Sequence, residues 1–444
     1  MTAKRMIMTA AMAAILGFVP SAYGDVSVID IKCTPRSPWN GLVDVEYTVA
    51  CDDPNADVYV NPVAYDGDRR LTMFPSSFTG DGATNTVKAG KHSMVWDAAK
   101  DLGTFSSANF QLKMYAGKRL ARYVVVDLSS GSSSTNYPVR FSHVGPDLSD
   151  DTCRTTELWL RLVPPGEFWM GSPADEFGRD SFEDLHHVTF TKPFYIGVFE
   201  VTMQQWMLVQ GGWYNYWGSP SYSSSSEYIY CAPEFSSSTN WSVRPVNQQA
   251  FAGGNNEIRG SQYPNATTGF DSDSFFARLR SRAKVSGFDL PTESRWEYAC
   301  RAGTMTALYN GKNISDTVTS AALAEIAAYY GNRFNDARYS DESVSIGTTP
   351  VGSFRPNALG LYDMLGNVWE LCRDGFPNDI SGLGTEKLID PPALGGDGSW
   401  GKFIRRGGWW KSPARECRAA QRWWSSLTDH NVAVGFRVCA EAEF

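Results

Sequence analysis

The stretch Arg405-Arg406-Gly407-Gly408-Trp409-Trp410-Lys411-Ser412-Pro413-Ala414-Arg415-Glu416-Cys417-Arg418, closed by Gly435-Phe436-Arg437-Val438-Cys439, constrains this chain more than any other. Adjacent tryptophans cannot all point into one core, so the segment calls for a loop-rich fold with an aromatic surface or pocket. Trp400, Trp409, Trp410, Trp423 and Trp424 place five of the 15 Trp in this region, interleaved with Arg405, Arg406, Arg415, Arg418 and Arg422. An aromatic-basic patch is therefore expected, with Trp409, Trp410, Arg415, Trp423 and Trp424 as ligand-binding residues. Such a patch suits carbohydrate stacking, aromatic peptides or an anionic ligand such as a sulfated glycan. The plain alternative is core tryptophans beside solvated arginines.

Composition narrows the class. With 444 residues the chain exceeds a typical single domain. Charged residues are 20% and the formal net charge is −8, so nothing in the composition suggests the polyanion-binding surface that nucleic acid demands. Forty Gly and 23 Pro imply many turns. At the N-terminus, Lys4 and Arg5 precede an apolar run from Met6 to Val19, too short to span a bilayer, and small residues follow in Pro20-Ser21-Ala22-Tyr23-Gly24. Residues 1–24 thus read as a signal peptide, giving a secreted, periplasmic or cell-surface protein with no membrane span after cleavage. All 8 Cys lie in the mature chain, where export permits disulfides and the even count fits complete pairing.

Two regions of different texture follow. Over 25–128 short runs alternate apolar and polar residues: 26–31, 43–49, 57–60, 110–115 and 123–128. Period-two runs separated by Asp-Asp-Pro-Asn and Asp-Gly turns predict an all-β sandwich, immunoglobulin-like and accessory, in which Cys33 and Cys51 lie on adjacent strands and could bridge. His92 is its lone imidazole and has no catalytic company. Ser129-Ser130-Gly131-Ser132-Ser133-Ser134 reads as a flexible linker within a connector over 129–154.

The remainder, 155–444, carries ordered blocks. They are Val163-Pro164-Pro165-Gly166-Glu167-Phe168-Trp169-Met170-Gly171-Ser172; Pro193-Phe194-Tyr195-Ile196-Gly197-Val198-Phe199-Glu200-Val201-Thr202, where Thr202 is placed to cap a helix; Leu290-Pro291-Thr292-Glu293-Ser294-Arg295-Trp296-Glu297-Tyr298-Ala299-Cys300-Arg301-Ala302-Gly303; Asn357-Ala358-Leu359-Gly360-Leu361-Tyr362-Asp363-Met364-Leu365-Gly366-Asn367-Val368-Trp369-Glu370; and the C-terminal stretch above. In the third block Thr292 predicts a helix N-cap, with Trp296 and Cys300 on one face and Gly303 at the end.

Together these blocks resemble the formylglycine-generating enzymes, the sulfatase-modifying-factor family. The resemblance implies an α+β, loop-rich fold of C-type-lectin type. It implies structural calcium, with Asn367, Val368 and Glu370 as ligands and a second site near Asn332 completed by Asp341 or Glu342. In the alternative, Asn367 turns the chain and Glu370 pairs with an arginine. It also implies a Cys300–Cys439 disulfide and, with less definition, Cys372–Cys417 and Cys153–Cys231. Arg418 and Arg437 sit at family positions expected to pair internally.

The family oxidises a substrate cysteine to formylglycine with copper(I) held by two cysteines five residues apart. At those positions this chain has Ser412 and Cys417. Soft Cu(I) takes thiolates, so a hydroxyl and a disulfide-bound sulfur make copper binding unexpected. His186-His187 with Glu183 is the one acid-imidazole cluster, and its family counterpart is a structural hairpin. Some retroelement-diversified ligand-binding proteins resemble this fold and vary the stretch corresponding to Trp409–Val434. The expected function is a non-catalytic ligand-binding module for a glycan or protein. The alternative is a formylglycine-generating oxidoreductase acting on a sulfatase cysteine with a rearranged metal site.

Overall fold

The computed structural model describes residues 26–67, 69–71, 77–103, 107, 109–211, 240–247, 256–259, 270–333, 347–376, 387–393, 402–426 and 433–442. The expected signal peptide, Cys231, Asp341, Glu342 and Trp400 lie outside the described residues. The chain divides into two compact units, one of residues 1–124 with 141–145 and the other of 125–140 with 146–442.

The first unit holds strands β1 (Val26–Pro35), β2 (Leu42–Cys51), β3 (Tyr59–Asp66), β4 (Arg69–Arg70), β5 (Phe78–Gly80), β6 (Gly90–Asp97) and β7 (Phe110–Gly117), with the short helix α1 (Ala98–Leu102). They form two antiparallel sheets, ordered β1-β2-β6-β5 and β4-β3-β7. The alternation read from the sequence is the reason: Val43, Val45, Tyr47 and Val49 of β2 turn inward, and they share one core with Val60 of β3 and Leu112 and Met114 of β7. Trp96 stacks between Phe78 and Phe110, at centroid distances of 5.6 and 5.7 Å. The inward residues of both sheets thus meet in one core.

The second unit begins with β8 (Tyr123–Asp127) and β9 (Val139–Ser142), continues through α2 (Thr152–Thr155), β10 (Glu157–Val163), β11 (Gly166–Met170), β12 (His186–Phe190), β13 (Phe194–Gly197), α3 (Met203–Gln210), α4 (Asn256–Arg259), α5 (Phe275–Ala283), β14 (Phe288–Asp289), α6 (Glu293–Arg301), α7 (Ala321–Ala324) and α8 (Tyr330–Arg333), and closes with β15 (Trp369–Phe376), β16 (Lys387–Ile389), β17 (Lys402–Arg406), β18 (Arg422–Ser426), β19 (Val434–Gly435) and β20 (Cys439–Glu441). Its sheets are β14-β20-β13-β10-β8-β9, β11-β12-β16 and β18-β17-β15-β19. The result is a mixed α+β, sheet-rich unit with short helices. None of the described helices is long and apolar enough to cross a membrane.

Caps appear where the sequence places them. Thr202 and Gln205 form a reciprocal capping box on α3, and Thr292 Oγ1 accepts from Arg295 N at 3.3 Å on α6. α6 ends one residue earlier than Gly303 suggests, because Ala302 itself takes the left-handed conformation at φ 46°. Behind α3, Trp206 stacks on Phe275 at 5.4 Å and meets Phe436 edge-on.

Two expectations are corrected. Tyr123–Asp127, expected as the last sandwich strand, joins the six-stranded sheet of the second unit. The serine-rich stretch after it is an ordered turn rather than a flexible linker. Ser129 N donates to Asp127 Oδ1 at 2.8 Å, Ser134 Oγ to Asn136 O at 2.8 Å, and Tyr137 Oη to Leu208 O at 2.9 Å. Short hydroxyl side chains bonding the local backbone are what fix it.

Candidate functional site

The turn after β17 sets the site. Gly407 and Gly408 have φ of 93° and 80°, so the chain reverses through the left-handed region. A β-carbon at 408 would lie 2.6 Å from Cys417 Sγ and 2.9 Å from Glu416 O, so only glycine lets the two arms of the turn meet. Gly366 plays the same part on the facing loop: a β-carbon there would sit 2.1 Å from Ala328 O. Backbone bonds lock the arrangement, from Gly366 N to Gly407 O at 2.8 Å, Trp410 N to Asn367 O at 3.0 Å and Tyr330 N to Ser412 O at 3.0 Å.

Ser412 and Cys417 are both 0% exposed. The Ser412 hydroxyl donates to Glu416 Oε2 at 2.7 Å, from one end of the short Ala414–Glu416 turn to the other. Burial pushes the Cys417 thiol well above its usual range; the Glu416 charge adds to that, while a bond from the Gly366 amide opposes it. A hydroxyl committed to a carboxylate and a buried, protonated thiol do not fit copper(I), which needs accessible thiolates.

Neither the Cys300–Cys439 and Cys372–Cys417 disulfides that the resemblance implies nor the Cys33–Cys51 bridge read from adjacent strands is formed, and Cys231, the partner expected for Cys153, lies outside the described residues. Cys33, Cys51, Cys153, Cys300, Cys417 and Cys439 are free thiols. For Cys33 and Cys51 the register gives the reason: Val26 faces Cys51 while Cys33 faces Val45. Seven residues of strand separate them, roughly 20 Å, where a bridge tolerates about 7 Å between Cα atoms. Cys439 lies beside Arg295 in the first turn of α6, where Arg295 also donates to Glu441 Oε1 at 2.6 Å. Cys300 is five residues further along that helix, about 7.5 Å of rise. Cys372 sits among Asp374, Glu293 and Arg406, whereas Cys417 faces Gly366 and Gly408. The Cys153 thiol donates to Asp150 O at 3.4 Å.

The calcium ligands are also otherwise engaged. Asn367 Oδ1 accepts from Thr349 N at 2.8 Å, and its Nδ2 donates to Glu200 Oε2 at 2.6 Å. Val368 N donates to Glu200 Oε1 at 3.2 Å. Glu370 receives the Arg437 guanidinium on both oxygens and Trp296 Nε1 at 2.7 Å. A carboxylate facing a guanidinium does not fit a divalent cation. Asn332 spends its amide within its own turn, accepting from Tyr329 N at 2.9 Å and donating to Ala327 O at 2.8 Å. Among the described residues no cluster of three or more His, Cys, Asp or Glu is arranged to hold a metal. His186 Nδ1 is bonded to Asp184 O at 2.8 Å, and Glu183 is bonded to Ser172 and Arg418.

Of the residues expected to form the aromatic-basic patch, Trp410 is buried, Trp409 and Trp424 are half-buried, and Arg415 and Trp423 are exposed. Trp410 is 2% exposed and packs edge-on against half-buried Trp409, which also packs against Met203. Arg406, Arg418 and Arg422 are buried because each has a glutamate waiting on another element. Arg406 pairs with Glu297, Arg422 reaches Glu293 at 2.5 and 2.8 Å, and Arg418 reaches Glu183 at 2.7 and 2.8 Å and Glu176 at 2.6 Å. Trp423 is 44% exposed, and Trp424, half-buried like Trp409, lies under Lys402 Nζ at 3.6 Å from its ring centre. Trp423 is opposite Arg405 across the β17–β18 ladder, and Arg415 is exposed.

Sequence reasoning missed Glu416 and the glutamates at 200, 293 and 297. Burial raises Glu200 well above the usual carboxylate range, helped by nearby Asp363 and Glu370, and burial lifts Asp363 to about 6. Only Glu416 left a local signal, four residues after Ser412, the spacing at which side chains on one turn meet.

The sheet-rich α+β unit, its paired arginines and the glycine-built turn define a formylglycine-generating-enzyme type of domain. Residues 147–442 match the sulfatase-modifying factor enzyme 1-like domain, and the chain belongs to that family. It is 26% identical over 303 residues to the formylglycine-generating enzyme of Streptomyces coelicolor, covering 65% of this chain and 91% of that enzyme. Identity to the mouse formylglycine-generating enzyme is 30% over 165 residues, 35% of this chain and 40% of the mouse protein. Among solved structures PvdO of Pseudomonas aeruginosa aligns with a TM-score of 0.43 at 25% identity, covering 64% of this chain and 94% of PvdO.

Proposed function

We propose that this chain is an exported, ligand-binding member of the family rather than a formylglycine-generating oxidase. In this reading the N-terminal two-sheet unit is an immunoglobulin-like accessory module and the family domain has a C-type-lectin-like scaffold. The Ser412–Glu416 hydrogen bond beside a fully buried Cys417 carries it. Oxidation of a substrate thiol requires a soft metal open to a third sulfur, and both protein ligand positions are closed. What remains available is the outer β18 surface. There the half-exposed Trp423 ring stands opposite Arg405, an arrangement suited to a glycan or to an aromatic or anionic segment of a protein.

The test uses the secreted full chain. Incubated with Cu(I), oxygen and a cysteine-containing sulfatase peptide, it is expected to leave the peptide unchanged by mass. On glycan and extracellular-protein screens it is expected to bind a ligand saturably, and Trp423→Ala to weaken that binding about five- to tenfold. Peptide conversion, or an affinity indifferent to Trp423, would overturn the proposal.

A further inference from the structure

The absent cysteine is the obvious difference from a copper site, yet the geometry around it contains a second barrier. Glu416 folds back so that its carboxylate meets Ser412 Oγ at 2.7 Å, and its backbone carbonyl bears on Gly408. Pro413 O accepts from Glu416 N at 2.9 Å and Ala414 O from Cys417 N at 3.1 Å, so the turn that carries both side chains is internally bonded. Outside it, Ala414 N donates to Val318 O and Arg415 N to Thr317 O, each at 3.0 Å, which pins the turn to a neighbouring loop. Neither Ser412 nor Cys417 retains any exposed surface.

We infer that Glu416 is a lock: its carboxylate, independently of the missing sulfur, keeps soft metals out of the space between positions 412 and 417. The inference rests on the non-oxidase reading and extends it. A thiolate placed at 412, a position with no exposed surface, would meet a carboxylate at hydrogen-bonding range, and that repulsion disfavours both the thiolate and any electron-rich Cu(I)–dithiolate unit. Restoring the cysteine alone therefore does not restore the site; the carboxylate must be neutralised as well.

The experiment compares the full chain, Ser412→Cys, Glu416→Gln and the Ser412→Cys/Glu416→Gln double variant, all reduced, in competition for Cu(I) with a chromogenic chelator. The first three are expected to leave the metal on the chelator. The double variant is expected to take one equivalent, at least about tenfold more tightly than Ser412→Cys. Copper retention by Ser412→Cys equal to that of the double variant overturns the lock, as does a folded double variant that stays inert. If the double variant does not fold, alkylation of Cys417 in Glu416→Gln decides. Acceleration of at least about tenfold over the parent supports the lock, and an unchanged rate overturns it. Copper uptake by the unaltered chain would instead defeat the non-oxidase reading, so the two failures are distinct.

Discussion

Arg418→Ala offers the most demanding test of how this unit is held together. The guanidinium is fully buried and serves two carboxylates: Nη1 donates to Glu176 Oε1 at 2.6 Å and Glu183 Oε2 at 2.8 Å, and Nη2 to Glu183 Oε1 at 2.7 Å. It also donates to the carbonyls of Gly178 and Arg415, at 2.7 and 2.9 Å, and so ties the loop before β12 to the turn carrying Cys417. Removing it leaves Glu183, itself 0% exposed, with an uncompensated charge. Breaking a buried pair from one side costs about 3–5 kcal/mol, or roughly 10 °C in the midpoint of a unit this size. The cost depends on pH with a defined sign. Burial already raises the Glu176 carboxyl in the parent, and the variant removes the Arg418 guanidinium that opposes that shift, so its folded pKa lies further above the unfolded one. The deficit is therefore small in acid and grows as pH rises through the raised value. Urea unfolding of the C-terminal transition, followed by tryptophan fluorescence at pH 5 and pH 8, reads both quantities. Combining Arg418→Met with Glu176→Gln and Glu183→Met should recover at least half of the loss, because no charge is then left alone. A loss under about 1 kcal/mol, no pH dependence, or no recovery in the triple variant would refute the reasoning.

Asp363 has a folded pKa near 6 against a usual 3.8, so the stability it contributes in acid is lost as pH rises through about 6, an integrated change of about 3 kcal/mol. Asn, which tolerates the φ of 56° at this position, should flatten the urea midpoint between pH 4 and 8 and raise it at pH 8. Gly408→Ala should cost about 2–3 kcal/mol, measured by thermal unfolding, whereas Gly311→Ala, at a similar φ of 79° with nothing within 4 Å of a β-carbon, should lose only the backbone strain. Non-reducing denaturation should expose the six thiols named as free to Ellman's reagent, while Cys153, Cys300, Cys417 and Cys439 stay unreactive in the folded chain.

Local features were legible in the sequence because their causes are local. The caps Thr202 and Thr292, the inward alternation of β2, and the glycines at 366, 407 and 408 each answer a demand made within a few residues. The pairing of Arg418 and Arg437 was expected, but not the identity of their partners. Glu183 lies 235 residues from Arg418, Glu200 lies 167 from Asn367, and no spacing rule reaches so far. Which tryptophans of the patch stay exposed was not legible for the same reason: of the four described, Trp410 is buried and Trp423 is 44% exposed. Whether adjacent indoles split between core and surface depends on what the other elements bring: here Met203 packs against Trp409, and Lys402 covers Trp424.

That difference separates two kinds of residue inside one motif. Gly407 and Gly408 are required by backbone conformation, and Gly408 also by the approach of Cys417 Sγ, whatever chemistry the turn performs. Ser412 is not required by backbone conformation: its side chain serves the turn through the hydroxyl that donates to Glu416, while the turn's own backbone bonds run between main-chain atoms. The motif therefore identifies the scaffold with certainty and says little about the reaction. Chemistry at this turn resides in the pair 412 and 416 together with Cys417, and only substitutions that treat the three as one unit will show which functions the scaffold supports.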